Sequence, residues 1–456
     1  MISPARKIAC NVLHRVEAEG AYASDLLHTE LSARIKPEDA ALATEITMGV
    51  LRWRRLLDFL IDQHLKKPVA KLDLPVAIAL RIGLYQLRFL QRIPPSAAVN
   101  ESVELVKIAR KTSAATLVNA VLRRAANEAR VPAEKFVPRA TPLVERLSIL
   151  HSHPTWLVER WLKRLGEQQT IALLEANNRA PRLTCALHDL KRQEEIFAAL
   201  KHAGLRIEPG NILQSAFAVS GGSPTRTESF RSGAISIQDE ASQTVPLLLD
   251  VQTSDRVLDL CAAPGGKTPP LVRAAGTNGF IIATDRHAHR LRAMREQFKR
   301  LQLTRVRLVE LDAAHPLPFG VEFNRILVDA PCSGTGTLAR HPEIRWRLQP
   351  EQLTEFHALQ ISLLRSALNQ LAPRGRLVYS TCSMEPEENE QVVEEALRGT
   401  SRFRRNASND FAHGNLKDQL VPAVAPESLF DSHGYFRTTP GPLETDGFFA
   451  AIITKC

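Results

Sequence analysis

The chain reads as three consecutive domains: an all-α helical bundle (1–140), a small α+β segment (141–235) and an α/β domain on a doubly wound sheet (236–456). Three observations predict this order. Apolar residues recur at helical spacing through roughly residues 4–130. A proline cluster, VPAEKFVPRATP at 131–142, interrupts that pattern. From Gln238 onward, short β-branched runs alternate with helix-length segments, the signature of a parallel sheet covered by helices. At 456 residues the chain exceeds what one ordinary core supports.

In the first segment the stripes Ile8, Val12, Leu13 and Val16, then Val76, Leu80, Leu84 and Leu87 behind Pro75, then Leu117, Val118, Val121 and Leu122 suit the core of a bundle. Trp156, Leu157, Trp161 and Leu165 predict an amphipathic helix in the second segment, and PRLTCALH at 181–188 a strand. In the third, RVLDL, FIIATD, RVRLVELD, RILVDAP and RLVYSTC are five short strands, and DGFFAAIITK at 446–455 a late strand closing the sheet.

Lys and Arg number 59 against 49 Asp and Glu, a net charge of +10, which suits a polyanionic partner such as RNA. Residues 1–130 hold 20 basic and 13 acidic residues, so +7 of that excess lies here. Arg52, Arg54 and Arg55 around Trp53, and Arg123 with Arg124, are either solvated faces or parts of a phosphate-binding surface. There is no run of 18 apolar residues for a membrane span, and the charged N-terminus is not that of a secretory leader. The six cysteines include no CxxC pair, which argues against a zinc site or a disulfide framework and for a reducing cytoplasm.

Three strings carry the chemistry. DLCAAPGGKT (259–268) follows the first strand of the α/β domain, and its small residues let a ligand approach the backbone. Asp285 and Asp312 end the next two strands, where this architecture presents carboxylates to a ribose; a helix cap or solvated turn is the plainer alternative. The loop has neither P-loop nor GxGxxG spacing, which leaves S-adenosyl-L-methionine as the candidate cofactor. DAPCSGTGT (329–337) and YSTCS (379–383) each place a cysteine just past an apolar strand, at the edge where ligands bind. Cys332 and Cys382 are therefore candidate nucleophiles, whereas Cys10 and Cys185 read as buried small hydrophobes and Cys261 as packing under the cofactor loop.

These strings, with QDEASQ (238–243) and RHPEIRW (340–346), resemble in order and spacing the RNA cytosine-5 methyltransferases of the Nol1/Nop2/Sun family. The N-terminal segment, through ATEITMGVLRWRRLLD (43–58) and PPSAAVNESVELVK (94–107), resembles a NusB-type RNA-binding domain. The resemblance implies a Rossmann-like methyltransferase domain and methylation of C5 of a cytosine in 16S rRNA before subunit assembly. It further implies a cytoplasmic enzyme, with a monomer expected, that uses no metal. By this resemblance Cys382 is the nucleophile at C6, Cys332 assists product release, Asp329 stabilises the base and Lys267 orders the site. Cys261, Ala262, Ala263, Pro264, Gly265, Gly266 and Lys267, with Asp285, Asp312 and Asp329, are the expected cofactor contacts. Pro269 and Pro270 follow the loop, a tolerated placement in a first helical turn. A tRNA cytosine-5 methyltransferase and a non-catalytic RNA-binding assembly factor are the alternatives; a degraded site would mark the latter, and here both cysteines, Asp329 and the Gly-Gly loop are present.

Overall fold

The computed structural model describes residues 2–31, 35–406 and 416–456. The chain forms two compact units, Met1–Arg179 with Leu338–Arg347, and Ala180–Thr337 with Leu348–Cys456.

The first unit is helical. Helices Pro4–Glu19, Pro37–Asp62, Leu74–Phe89 and Pro95–Ile108 each begin with proline in the first turn, where its missing N–H leaves no hydrogen bond unmade. They pack with Ala115–Glu128 around a core that includes Val12, Leu13, Ile46, Leu57, Leu80, Val121 and Leu122. Leu117, expected on that core stripe, lies at the surface. The expected amphipathic helix runs Thr155–Asn178, broken at Gly166, where φ is +78°. Residues 338–347 enter this unit as a separate stretch of chain, and Ala23 N–H donates to the Glu343 carboxylate at 3.1 Å.

Of the arginine group read as a solvated face or part of a phosphate-binding surface, Arg52 is turned inward, whereas Arg54 and Arg55 are partly exposed and ion-paired. Arg52 is buried and donates to the Ala339 carbonyl at 2.9 Å. Arg54 pairs with Glu17 and Asp58, and Arg55 with Glu145 at 2.7 Å. Three arginines within four residues of one helix point in different directions, and partners within the unit take up each charge. Arg123 and Arg124 are exposed.

The second unit holds two sheets. The strands β1 (Leu183–Leu187), β2 (Arg206–Pro209), β3 (Ala216–Ser220) and β4 (Ile235–Ile237) form an antiparallel sheet in the order β2-β3-β1-β4. Cys185 is fully buried in the small core beside it.

The larger sheet uses β5 (Arg256–Leu260), β6 (Phe280–Asp285), β7 (Val306–Glu310), β8 (Phe323–Asp329), β9 (Leu371–Thr381), β10 (Phe403–Arg405), β11 (Phe436–Thr438) and β12 (Phe448–Lys455). Its order is β10-β12-β9-β8-β5-β6-β7, with β11 on β12. Residues alternate between two cores: Leu258, Leu260, Ile326, Val328, Leu377 and Tyr379 face one, and Val257, Ile281, Leu327 and Val378 the other. Burial on both faces is why these strands read as near-continuous apolar runs.

β5 to β9 pair parallel, as expected, but the sheet is mixed: β12 runs antiparallel to β9, β10 and β11. An apolar run shows that a strand is buried and carries no information on its direction, and a doubly wound sheet commonly bears antiparallel edge strands. The order places a switch at β5: β6 and β7 lie to one side, β8 and β9 to the other, and the crevice beyond their carboxyl ends is where such sheets bind ligands.

Candidate active site

Every expected site residue of the second unit lies at that carboxyl edge. The loop after β5 begins with Cys261 in the left-handed region (φ +58°), passes a cis Ala263–Pro264 peptide and turns at Gly265 (φ +96°). A Cβ on Gly265 would sit 2.8 Å from Met294 Cγ, so glycine lets the loop press against helix Ala288–Arg300. The helix after the loop is Thr268–Ala275, with the two prolines in its first turn as expected. Cys261 is half-buried, and burial, then the charges of Asp285, Asp329, Asp259 and Asp312, push its thiol up.

Asp285 is the last residue of β6; its Oδ1 accepts from His287 N–H at 2.9 Å, while Oδ2 is 4.0 Å from Arg290. Asp312 lies two residues beyond the end of β7 and caps a turn through Ala314 N–H at 3.0 Å. Each acid thus does the plain structural work weighed above with one oxygen; the other oxygen of Asp285 lies toward Arg290 and retains acceptor capacity. Carboxylates here, with a close-packed glycine turn, fit the hydroxyls of a nucleoside-bearing cofactor.

Lys267 and Asp329 meet. Lys267 Nζ donates to Asp329 Oδ2 at 2.7 Å, and Ser380 Oγ, opposite Asp329 in the β8–β9 register, donates to Oδ1 at 2.7 Å. Burial alone would push the Lys267 ammonium down; the adjacent Asp329 carboxylate outweighs it and holds the group above the ordinary lysine range. Lys267 also lies 5.0 Å from the Phe448 ring centre and within electrostatic reach of Cys382.

The two strand-end cysteines converge, with Sγ atoms 3.3 Å apart. Both are half-buried and free. The hydrogen bond to Cys382, and then burial, push the Cys332 thiol well above its ordinary range, so it keeps its proton. The following SGTGT loop is clasped from two sides: Gly336 N–H donates to the Cys382 carbonyl at 2.9 Å, and Gly447 N–H to the Gly336 carbonyl at 2.8 Å. A Cβ at Gly336 would lie 2.1 Å from the Gly447 carbonyl oxygen, which only glycine allows.

Sequence reasoning missed the acids beneath this surface. Glu388 is fully buried under both cysteines and receives Ser333 and Ser383. Glu240, within QDEASQ, is nearly fully buried and accepts the backbone N–H groups of Asn211, Ile212 and Leu213 at 2.9, 2.6 and 2.6 Å. In the sequence Glu388 stands in the acidic run EPEENE, and nothing local in QDEASQ shows that Glu240 meets the backbone of Asn211, Ile212 and Leu213.

Asp259 is a third. Its Oδ2 accepts from Thr268 Oγ at 2.7 Å, and its buried Oδ1 has no partner. Burial pushes this carboxyl from 3.8 up to about 7, against the Thr268 hydrogen bond and with the Asp329 charge. The folded state therefore holds this proton more tightly than the unfolded chain, and stability falls as pH rises from about 4 to about 7. A rise from 3.8 to about 7 corresponds to about 4 kcal/mol over that window. The Asp259→Asn variant removes the titration. Its stability relative to the parent, from denaturant midpoints, is expected to increase by about 2–4 kcal/mol between pH 5 and pH 8. A constant difference between those pH values would refute this origin.

A doubly wound sheet with a glycine turn, strand-end carboxylates and reactive side chains at its switch point fits an enzyme that takes a nucleoside-bearing ligand, and similarity to known proteins makes the class a methyltransferase. The family described as 16S rRNA methyltransferase RsmB/F matches residues 246–454, the NusB family residues 3–127, and an RsmF/B-like ferredoxin-like domain residues 153–226. The chain is 32% identical to the probable ribosomal RNA small subunit methyltransferase B of Bacillus subtilis, over 99% of this chain and 98% of that protein. It is 33% identical to ribosomal RNA small subunit methyltransferase B of Yersinia pseudotuberculosis, over 99% and 98%. Among solved structures, a methyltransferase homologue from Pyrococcus horikoshii superposes with a TM-score of 0.58 at 29% identity, covering 69% of this chain and all of that one. The chain belongs to the 16S rRNA methyltransferase RsmB/F family. Among the described residues no helix is long and apolar enough to cross a membrane, and no cluster of three or more His, Cys, Asp or Glu could hold a metal ion.

Proposed function

We propose that this chain methylates C5 of a cytosine in 16S rRNA through a covalent bond from Cys382 to C6 of the base. The observation that carries the reading is the pair of half-buried thiols 3.3 Å apart at the carboxyl edge, beside the Lys267–Asp329 ion pair. Cytosine C5 is a poor nucleophile until C6 is attacked by a thiolate, which makes C5 enamine-like. Cys382 forms the bond to C6, giving up its thiol proton as it does so. Asp329, fixed by Lys267 and Ser380, hydrogen-bonds the base and offsets charge on the ring. After transfer the C5 proton leaves and the Cys382–C6 bond breaks, assisted by Cys332. The loop from Cys261 to Lys267, with Asp285, Asp312 and Asp329, would hold S-adenosylmethionine, which when bound would supply the methyl group. The target base leaves its stack to reach these groups, which suits protein-free 16S rRNA before assembly, met by a monomer in the cytoplasm.

The test is methyl transfer from radiolabelled S-adenosylmethionine to protein-free 16S rRNA, assembled small subunits and bulk tRNA, followed by digestion to nucleosides. 5-Methylcytidine in free 16S rRNA alone is the expected result. Label in tRNA alone would overturn the substrate, and no label from folded protein the catalytic reading.

A further inference from the structure

The two cysteines come from different strands, yet the residues following each end on one buried carboxylate. Glu388 lies in the short turn Pro386–Glu388 after β9 and is fully buried. Its Oε1 accepts Ser333 N–H at 2.8 Å and Gln360 Nε2 at 3.1 Å. Its Oε2 accepts the hydroxyls of Ser333 and Ser383, the latter at 2.5 Å. Gln360 also donates to the Pro331 carbonyl at 2.9 Å, so both neighbours of Cys332 are held. Behind Cys382, Thr381 Oγ donates to Asn389 Oδ1 at 2.5 Å, and Asn389 Nδ2 to the Ser383 carbonyl at 2.9 Å. The turn itself is fixed by Tyr379, whose hydroxyl donates to the Glu388 carbonyl at 2.6 Å.

We infer that Glu388 is a positioning residue: its carboxylate ties the Cys332 loop to the Cys382 strand end and sets the distance between the two thiols. The inference rests on the covalent reading above, because only a mechanism that uses both thiols needs that distance held. A fully buried acid touches neither RNA nor cofactor and acts through Ser333 and Ser383. Burial pushes its carboxyl up, and donors from Ser333, Ser383 and Gln360 pull it back.

The donor arrangement makes a sharp distinction. Oε1 faces only N–H donors, whereas Oε2 faces only hydroxyls, which can rotate to accept instead. Glutamine therefore keeps a hydrogen-bonding group opposite each of these partners without a charge, and alanine keeps none.

The test reads thiol juxtaposition directly on the full chain. Diamide takes two electrons and two protons from the two thiols as the Cys332–Cys382 sulfur–sulfur bond forms, and mass spectrometry of the cross-linked peptide gives the rate. Glu388→Gln is expected to cross-link and turn over at close to the parent rate. Glu388→Ala is expected to slow both cross-linking and kcat by about tenfold or more, with KM for RNA and S-adenosylmethionine unchanged. Should Glu388→Ala not fold, the double variant Ser333→Ala/Ser383→Ala removes the Oε2 contacts with little loss of volume, and slower cross-linking is again expected. Cross-linking at the parent rate in whichever of these variants folds, or Glu388→Gln as impaired as Glu388→Ala, would overturn the inference. The cross-linking arm needs no RNA, so it decides the role of Glu388 even if Cys382→Ala retained methyl transfer and the covalent reading fell.

Discussion

Replacing Cys382 by alanine is expected to lower methyl transfer by on the order of 10³-fold or more, the scale on which loss of a covalent nucleophile acts. Replacing Cys332 is expected to do something different: the enzyme methylates once and stays bound, leaving a protein–RNA adduct that survives denaturing electrophoresis. The asymmetry follows from geometry. The sulfur atoms are only 3.3 Å apart, so in the proposed mechanism one base is within range of both, but they are not equivalent. Cys332 keeps its proton, because the hydrogen bond to Cys382 and burial both resist ionisation. Cys382 stands one residue beyond β9, within electrostatic reach of Lys267 and two residues past Ser380, which donates to Asp329. A thiolate attacks, and the group beside it serves the later elimination. The measurement is single-turnover methyl transfer together with an adduct assay, with Cys332→Ala/Cys382→Ala as the control that must form no adduct. An adduct in Cys382→Ala and none in Cys332→Ala would exchange the roles while leaving the family unchanged.

Much of the catalytic edge is legible in the sequence because strand ends are. A β-branched run terminated by Asp-Ala-Pro-Cys or Ser-Thr-Cys-Ser announces both a buried strand and the small or polar residues that leave it, so Asp329, Cys332 and Cys382 can be placed before any coordinates exist. Lys267 follows from the glycine loop in the same way. Contacts that depend on pairing in three dimensions are not legible. The Glu388 carboxylate is chosen by Ser333, 55 residues earlier in the chain, and nothing local distinguishes it from its exposed-looking neighbours. The antiparallel direction of β12 is equally hidden, since apolar burial reads the same either way. Arg52 looks like a surface cation because its flanking arginines are basic too, yet its partner is the Ala339 carbonyl, supplied by chain 287 residues later. The entry of residues 338–347 into the helical unit follows from the same cause: sequence order gives no sign that a segment between β8 and β9 packs among the N-terminal helices.

That segment sets the second large effect expected. Arg345 is fully buried in the helical unit, and its guanidinium meets oxygens from four stretches of chain. Nη1 donates to the Ser152 carbonyl at 3.1 Å, Asn178 Oδ1 at 2.9 Å and the Arg52 carbonyl at 3.4 Å. Nη2 donates to the carbonyls of Asn177 at 3.1 Å and Leu338 at 3.3 Å. Trp346 adds a bond from its indole to the Leu51 carbonyl at 2.6 Å. Burial, and then the Arg52 charge, push the Arg345 guanidinium well below its ordinary range, and the oxygens that surround it offset that penalty. Arg345→Met keeps length and apolar contact but strands several buried carbonyls, an expected loss of about 3–5 kcal/mol. Arg345→Lys keeps the charge on a single point that cannot span the acceptors as the planar fork does, and an intermediate loss is expected. All four tryptophans, Trp53, Trp156, Trp161 and Trp346, lie in this unit. Tryptophan fluorescence during denaturant unfolding therefore reports it alone, and its midpoint is expected to fall in the order parent, Arg345→Lys, Arg345→Met. Equal midpoints for parent and Arg345→Met would mean that water or a rearranged chain satisfies those carbonyls, and that the guanidinium does not hold the segment in place.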